Sequence, residues 1–361
     1  MASSEINALF KKAEHLRQKS RYAEALQQYT TALRESISTR DARAVVECLL
    51  SIGDVNRMIG DFEQAEKAYA KAALGAAKMR NREAVADAKT GMGLSRRGRG
   101  DWKRAIALLT EALRFYRRNR DREGIAFTLW SIAGAWRVHG DIPKAIKTYQ
   151  EAFAGYQSLK SDAGVGYCLC GLGGSSRIAG RFDDSLVYYR SANSIFRKLR
   201  DTFGTAYSYC GIGNAYRMAG DYRKALSSFA KASSLYRKIG DRVSYAYTLW
   251  SMGTTHKMLR DYTTAENYFR EAQDLFKKTK DPRGLIYCTL GFGETAMLNG
   301  KRKTAERHFC KSLADAKRFG FRVEECHAAT LFAYLTGKKQ VVCYNRLGIM
   351  LDFHEPPLNI P

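Results

Sequence analysis

The stretch "AYRMAGDYRKALSSFAKAS", Ala215–Ser233, decides the fold. Its Gly220–Asp221 pair separates two helix-like runs, and the same mark returns every forty residues. "GDF" stands at Gly60, "GDW" at Gly100, "GDI" at Gly140 and "GRF" at Gly180, and "RDY" at Arg260 and "GKR" at Gly300 continue the register. A second mark falls midway, at Asp41, Asn81, Asp121, Ser161, Asp201, Asp241 and Asp281. Glycine suits the left-handed residue just past a helix end. Asp, Asn and Ser suit the N-cap of the helix that follows. The spacing therefore predicts two helices of about sixteen to eighteen residues in each unit, joined by short turns.

Side-chain columns in register with these marks predict the packing. Second helices carry Ala25, Ala65, Ala105, Ala145, Ala225, Ala265 and Ala305, with Ser185 the exception. Four residues on stand Tyr29, Tyr69, Leu109, Tyr149, Tyr189, Phe229, Phe269 and Phe309, and three further on a small residue again. Spacing of i, i+4, i+7 makes one buried stripe. First helices carry Gly53, Gly93, Gly173, Gly213, Gly253 and Gly293. A mid-helix glycine costs about 1 kcal/mol against alanine, so this column implies close helix–helix approach.

The Leu/Ile–Gly of the first helix, followed by alanine, an aromatic and alanine in the second, resembles the tetratricopeptide repeat. The residues that carry it are "GIGNAYRMAGDYRKALSSFAKA" and its relatives, from about residue 5 to 318. Two features depart from the family pattern: the period is forty rather than thirty-four, and no proline closes the units. Long units of this kind are similar to the arrays of Pins/LGN-type adaptors and of rapsyn-type or bacterial regulatory proteins. The resemblance implies an all-α fold, a right-handed superhelical α-solenoid of about eight helix-turn-helix repeats. Residues 322–336, "RVEECHAATLFAYLT", read as a ninth first-helix that caps it. The expected organisation is a solenoid over 1–336 and a tail over 337–361. The first half of the tail reads as a last helix and "HEPPLNIP" as extended chain.

One column asks for more than packing. Arg17, Arg57, Arg97, Arg137, Arg177 and Arg217 recur at forty-residue intervals, and Lys257 continues the series. Family resemblance implies that this arc of each first helix lines a concave groove. Sharing the arc are Phe127, Tyr167, Tyr207, Tyr247 and Tyr287; Trp130, Cys170, Cys210 and Trp250; and Gly134, Gly174, Asn214, Thr254 and Glu294. Neighbouring helices pack about 8–10 Å apart, and an extended peptide advances about 3.3 Å per residue. A carboxylate at every third residue of a partner therefore matches the ladder, and arginine's fork pairs with carboxylate or phosphate. Expected peptide-binding residues are Arg57, Arg97, Arg137, Arg177, Arg217, Lys257, Trp130, Tyr167, Tyr207, Asn214, Tyr247, Trp250 and Tyr287. Structural alternatives stand beside this. Helix-end cations favour the macrodipole or pair with the next helix's opening acid, as Arg57 with Asp61. The aromatic column equally suits packing between repeats.

Composition bounds the partner. Sixty Lys+Arg against 36 Asp+Glu give a formal charge of +24, which suits an acidic protein segment or nucleic acid. The unit 81–120 alone carries +7, much of it in "RRGRGDWKR" and "RRNRDR". No stretch approaches eighteen apolar residues, so no membrane span is expected. Eight cysteines without paired metal spacing read as reduced, buried small hydrophobes in a cytoplasmic protein. Cys170 and Cys210 are expected near groove arginines that would lower their pKa. The six histidines show no ligand spacing, no catalytic constellation emerges, and no cofactor or metal is expected. The leading function is a non-catalytic scaffold that holds an extended acidic segment of a partner protein. RNA or single-stranded DNA on the same surface and a ligand-sensing regulatory array are the alternatives. The acidic tail "LDFHEPPLNIP" is a further candidate occupant, of its own groove or of a second copy's.

Overall fold

In a computed structural model, residues 2–337, 343–350 and 358–360 are described. Among them the chain forms seventeen α-helices and one short 3-10 turn. First helices of successive units are α1 (Ala2–Gln18), α3 (Ala42–Met58), α5 (Arg82–Gly98), α7 (Arg122–His139), α9 (Asp162–Ile178), α11 (Thr202–Met218), α13 (Arg242–Met258) and α15 (Pro282–Leu298). Second helices are α2 (Tyr22–Ser38), α4 (Phe62–Lys78), α6 (Trp102–Arg118), α8 (Ile142–Ser158), α10 (Phe182–Leu199), α12 (Tyr222–Ile239), α14 (Tyr262–Thr279) and α16 (Arg302–Phe319). The cap is α17 (Arg322–Thr336).

Turn chemistry sets these boundaries. Asp41, Asn81, Asp121, Ser161, Asp201, Asp241 and Asp281 each accept a hydrogen bond from a main-chain amide in the first turn of the helix they open. Gly60, at φ +82°, donates to the Arg57 carbonyl, and Asp61 N donates to the Asn56 carbonyl at 2.8 Å. At the other turn the left-handed residue is a cation in six units, Arg40, Arg80, Arg120, Lys160, Arg200 and Lys280, and glycine in two, Gly240 and Gly320. That conformation costs an L-residue roughly 1–2 kcal/mol. A cation at a helix C-terminus offsets part of it, so some of the basic excess belongs to the architecture.

Aromatic wedges hold the units together. Tyr189 of α10 lies against Gly173 of its own unit and Gly211 of the next. A Cβ on Gly211 would meet its ring at 2.1 Å. The glycine columns therefore make the slot for the second-helix aromatic.

The superhelix winds tightly enough to touch itself. Trp102 Nε1 donates to the Phe319 carbonyl, Arg242 Nε to the Ile59 carbonyl, and His139 Nδ1 lies 3.4 Å from the Gly320 carbonyl. These partners lie 181 to 217 residues apart, so about five units complete one turn. Tyr22 packs into a shared core with Ala206, Tyr236 and Ile239, and Lys280 pairs with Glu63 across the same seam. None of these contacts shows in the repeat pattern.

One tail expectation needs correction. Among the described residues after α17 the chain forms the 3-10 turn Asn345–Leu347 and no further α-helix, because Tyr344, Leu347 and Ile349 are drawn into a cluster with Ile142, Ile178 and Val323. The segment 351–357 lies outside the described residues, and with it most of the stretch expected to be extended. The cysteines are also not uniformly reduced and buried. Cys326 and Cys343 form a disulfide that ties the tail to the cap helix, and Cys310 is exposed.

Candidate functional site

First helices face the interior of the superhelix and carry their basic column into it. Arg97, Arg137 and Lys257 each reach over the next first helix, thirty-seven residues on. A Cβ on Gly134 would meet Arg97 Nη1 at 2.3 Å, and one on Gly174 would meet Arg137 Nη1 at the same distance. Those two glycines are the beds on which the guanidinium groups lie. In the last first-helix pair the corresponding residue is Glu294, which takes Lys257 directly.

The column divides by what lies opposite it. Arg17 pairs with Glu14, and Arg57 pairs weakly with Asp54 at 3.3 Å, not with Asp61. Arg97 reaches only the Ser131 carbonyl at 3.5 Å and the face of Trp130, 5.3 Å from its centroid. Arg137 and Arg177 have no acidic partner among the described residues. Arg137 Nε and both Nε and Nη1 of Arg177 are buried without a hydrogen-bond partner. Burial, with Arg137 and Arg57 as neighbouring cations, pushes the Arg97 guanidinium below its ordinary value. Tyr207 stands close enough to act electrostatically on both Arg97 and Arg137. Among the described residues, three consecutive cations thus have no acidic partner.

Further along, the same column is closed. Lys257 is 1% exposed and pairs with the buried Glu294. A further cation that sequence reading missed, Arg283 at the start of α15, donates to Glu324 of the cap helix at 2.6 Å. Tyr287 donates to the same carboxylate oxygen. Arg217 is wholly buried and bonds to Asn214 Oδ1, 3.2 Å from Nη2. It also donates to Asn359 Oδ1 and, at 2.9 Å, to the Ile360 carbonyl. Its burial, with Arg177 beside it, lowers the guanidinium pKa.

The aromatic residues expected in the groove are engaged in joining repeats. Tyr167 donates to Asp201 and Tyr247 to Asp281, the N-caps of the following first helices. Trp130 Nε1 donates to the Tyr167 carbonyl and Trp250 Nε1 to the Tyr287 carbonyl. The pattern is a staple repeated from unit to unit, visible in the sequence only as a period. Of this set Tyr207 alone carries no such hydrogen bond among the described residues. The two candidate thiols are also settled differently from expectation. Burial raises the pKa of Cys170 and Cys210, outweighing the neighbouring arginines.

Near α3 to α7 the interior opens into a cavity of about 410 Å³ lined by Arg17, Arg57, Asp54, Asp87, Tyr116 and Phe127 among others. Within the basic run at 96–104, Arg96 and Arg99 both bind Glu66, and Arg96 also reaches Asp101. Among the described residues, no group of three His, Cys, Asp or Glu side chains is placed to hold a metal ion, and no helix is long and apolar enough to cross a membrane.

Comparison with known proteins agrees with this architecture. The chain is similar in structure to a Rap conjugation gene regulator of the plasmid pLS20 in complex with the Phr* peptide, at TM-score 0.65 and 13% identity, covering 87% of this chain and 95% of that one. It is similar to NprR in complex with its cognate peptide NprX, at TM-score 0.60 and 16% identity over 93% and 97%. It is also similar to aspartyl phosphate phosphatase F from Bacillus subtilis, at TM-score 0.58 and 13% identity over 87% and 94%. No curated protein matches the sequence. The model of the tetratricopeptide repeat matches residues 4–73, 167–238 and 215–278, half of the chain. Repeat register, glycine slots, helix-pair stacking and this match agree, and the chain belongs to the tetratricopeptide-repeat family.

Proposed function

We propose that the chain is a non-catalytic scaffold that holds an extended acidic segment of a partner protein inside its superhelix, on Arg97, Arg137 and Arg177. One observation carries this: among the described residues, three successive guanidinium groups have no acid opposite them, and buried N–H groups of two are unpartnered. An unpaired buried donor costs roughly 1–3 kcal/mol, so an acceptor that enters recovers that cost. Gly134 and Gly174 leave room for the Arg97 and Arg137 guanidinium groups against the next first helix. Two of the similar structures, the pLS20 regulator and NprR, are complexes with peptides, which favours a peptide over other anions. Nucleic acid fits less well. Its bases need open aromatic faces, whereas Trp130, Tyr167, Tyr247, Trp250 and Tyr287 are packed between repeats. Tyr207 and Asn214 remain as neutral polar contacts beside the ladder.

The test is fluorescence anisotropy with a labelled twelve-residue peptide bearing Glu at every third position. Wild-type protein should bind it. Arg97→Glu/Arg137→Glu/Arg177→Glu should weaken binding about a thousandfold, since each enclosed charge pair is worth about 1.5 kcal/mol or more, while far-UV circular dichroism stays unchanged. Equal binding by the folded triple variant would overturn the reading, as would displacement of the peptide by a deoxythymidine oligomer at lower concentration.

A further inference from the structure

The chain supplies an occupant for one end of this interior. Asn359 and Arg217 exchange hydrogen bonds: the guanidinium donates to Asn359 Oδ1, and Asn359 Nδ2 donates to the Arg217 carbonyl at 3.0 Å. Arg217 also donates to the Ile360 carbonyl, and Lys257 Nζ donates to the Leu358 carbonyl at 2.6 Å. Ile360 is 1% exposed and sits in the core cluster that contains Trp250, Tyr287 and Leu290. These are the contacts an extended peptide makes in a groove: main-chain carbonyls on cations, one amide, one buried aliphatic side chain. A separate anchor holds the preceding segment. Cys343 is bonded to Cys326, Leu347 and Ile349 are buried, and Met350 N donates to the Ala179 carbonyl.

We propose that Leu358–Ile360 is a tethered, displaceable ligand of the groove, and that an acidic segment extending from Arg177 to Arg217 binds by expelling it. The acidic-segment part rests on the function proposed above. Arg177 and Arg217 stand close enough to act on each other, so a ligand on the open half ends beside the tail. A carboxylate at Arg217 would replace a neutral amide and a carbonyl, and charge-assisted bonds are about twice as strong. The tail has the opposite advantage. A short tether gives it an effective concentration on the order of millimolar. An external ligand sees only the fraction of molecules whose site is free.

The experiment uses full-length chains, wild type and Asn359→Ala/Ile360→Ser, and two labelled peptides: the acidic twelve-mer and Pro-Leu-Asn-Ile-Pro. The substituted chain should bind the acidic peptide about tenfold more tightly than wild type. It should also bind Pro-Leu-Asn-Ile-Pro, which wild type excludes. If the acidic peptide binds both chains equally and does not displace Pro-Leu-Asn-Ile-Pro, the tail is a fixed part of the core and the proposal is wrong. If the acidic peptide binds neither chain, the acidic-segment reading fails, and binding of Pro-Leu-Asn-Ile-Pro by the substituted chain alone still supports a displaceable tail. Should the substituted chain melt early, the Ile360 methyl resonance of the unmodified protein decides. Saturating acidic peptide should move it to a solvent-exposed position, and an unmoved resonance with peptide bound overturns displacement.

Discussion

The two halves of the basic column have the same sequence register and opposite chemistry. Gly134 and Gly174 lie opposite Arg97 and Arg137, and among the described residues no acid meets the cations from Arg97 to Arg177. From Arg217 to Lys257 the cations meet Asn214, Glu294 and the chain's own residues 358–360. A repeated cation is therefore not one feature. What it does depends on the single side chain presented by the next first helix, and on which distant segment reaches it. In one stretch the cations are met by an acid or by the tail, and in the other they have no acidic partner among the described residues.

The sharpest way to break this contrast is to remove one cation from each half. Lys257→Ala leaves Glu294 buried and uncompensated and should cost about 3–5 kcal/mol in urea unfolding. Lys257→Met/Glu294→Leu should recover most of that loss. Arg137→Ala should change stability by less than about 1 kcal/mol, because it leaves no stranded acid. Equal losses from Lys257→Ala and Arg137→Ala would mean that the open half is neutralised after all.

Acid should act on the closed half first. His327 is buried against Tyr344, with Glu324 and Arg283 as the charges that act on it. Burial holds its imidazole at about 4 in the fold, against an ordinary value near 6.5. As pH falls the unfolded chain takes up this proton first. Stability present above about pH 6.5 is then lost progressively down to about pH 4, by roughly 3 kcal/mol from this group. His327→Gln should flatten that part of a pH–stability curve; an unchanged slope would place the loss elsewhere.

The smallest effect probes the open half. Gly174→Ala places a methyl where the Arg137 guanidinium lies. The flexible end of that side chain can move, and alanine gains about 1 kcal/mol of helix propensity. Thermal stability should hold within about 1 kcal/mol while affinity for the acidic peptide falls several-fold. Gly211→Ala is the matched control. It drives a methyl into the packed Tyr189 ring, where overpacking costs about 1–3 kcal/mol.

Much of the fold was legible because its signals are local. A cap needs one Asp, Asn or Ser, a turn needs one left-handed residue, and a stripe needs spacing of three and four. The inward arginine column followed from family resemblance and periodicity. Its neutralisation did not, because Glu294 and Gly174 occupy the same column and the repeat gives no reason to weigh them differently. Trp130, Tyr167, Tyr247, Trp250 and Tyr287 read as groove residues since a period cannot distinguish a hydroxyl or indole N–H facing the axis from one bonded to the next repeat. Arg283 falls outside the arginine column, and only its ion pair with Glu324 brings it into view. The Cys326–Cys343 pair bridges cap and tail, seventeen residues apart and outside the period.

By itself the sequence determined a forty-residue helix pair, the number of pairs, and a row of cations on one face of each first helix. These depend on interactions within a few turns of chain. Tertiary structure alone decided that about five units close a turn, that the seam joins Trp102 to Phe319, and that residues 358–360 meet Arg217. Such contacts span 101 to 217 residues and depend on small rotations accumulated from unit to unit, which no single repeat encodes.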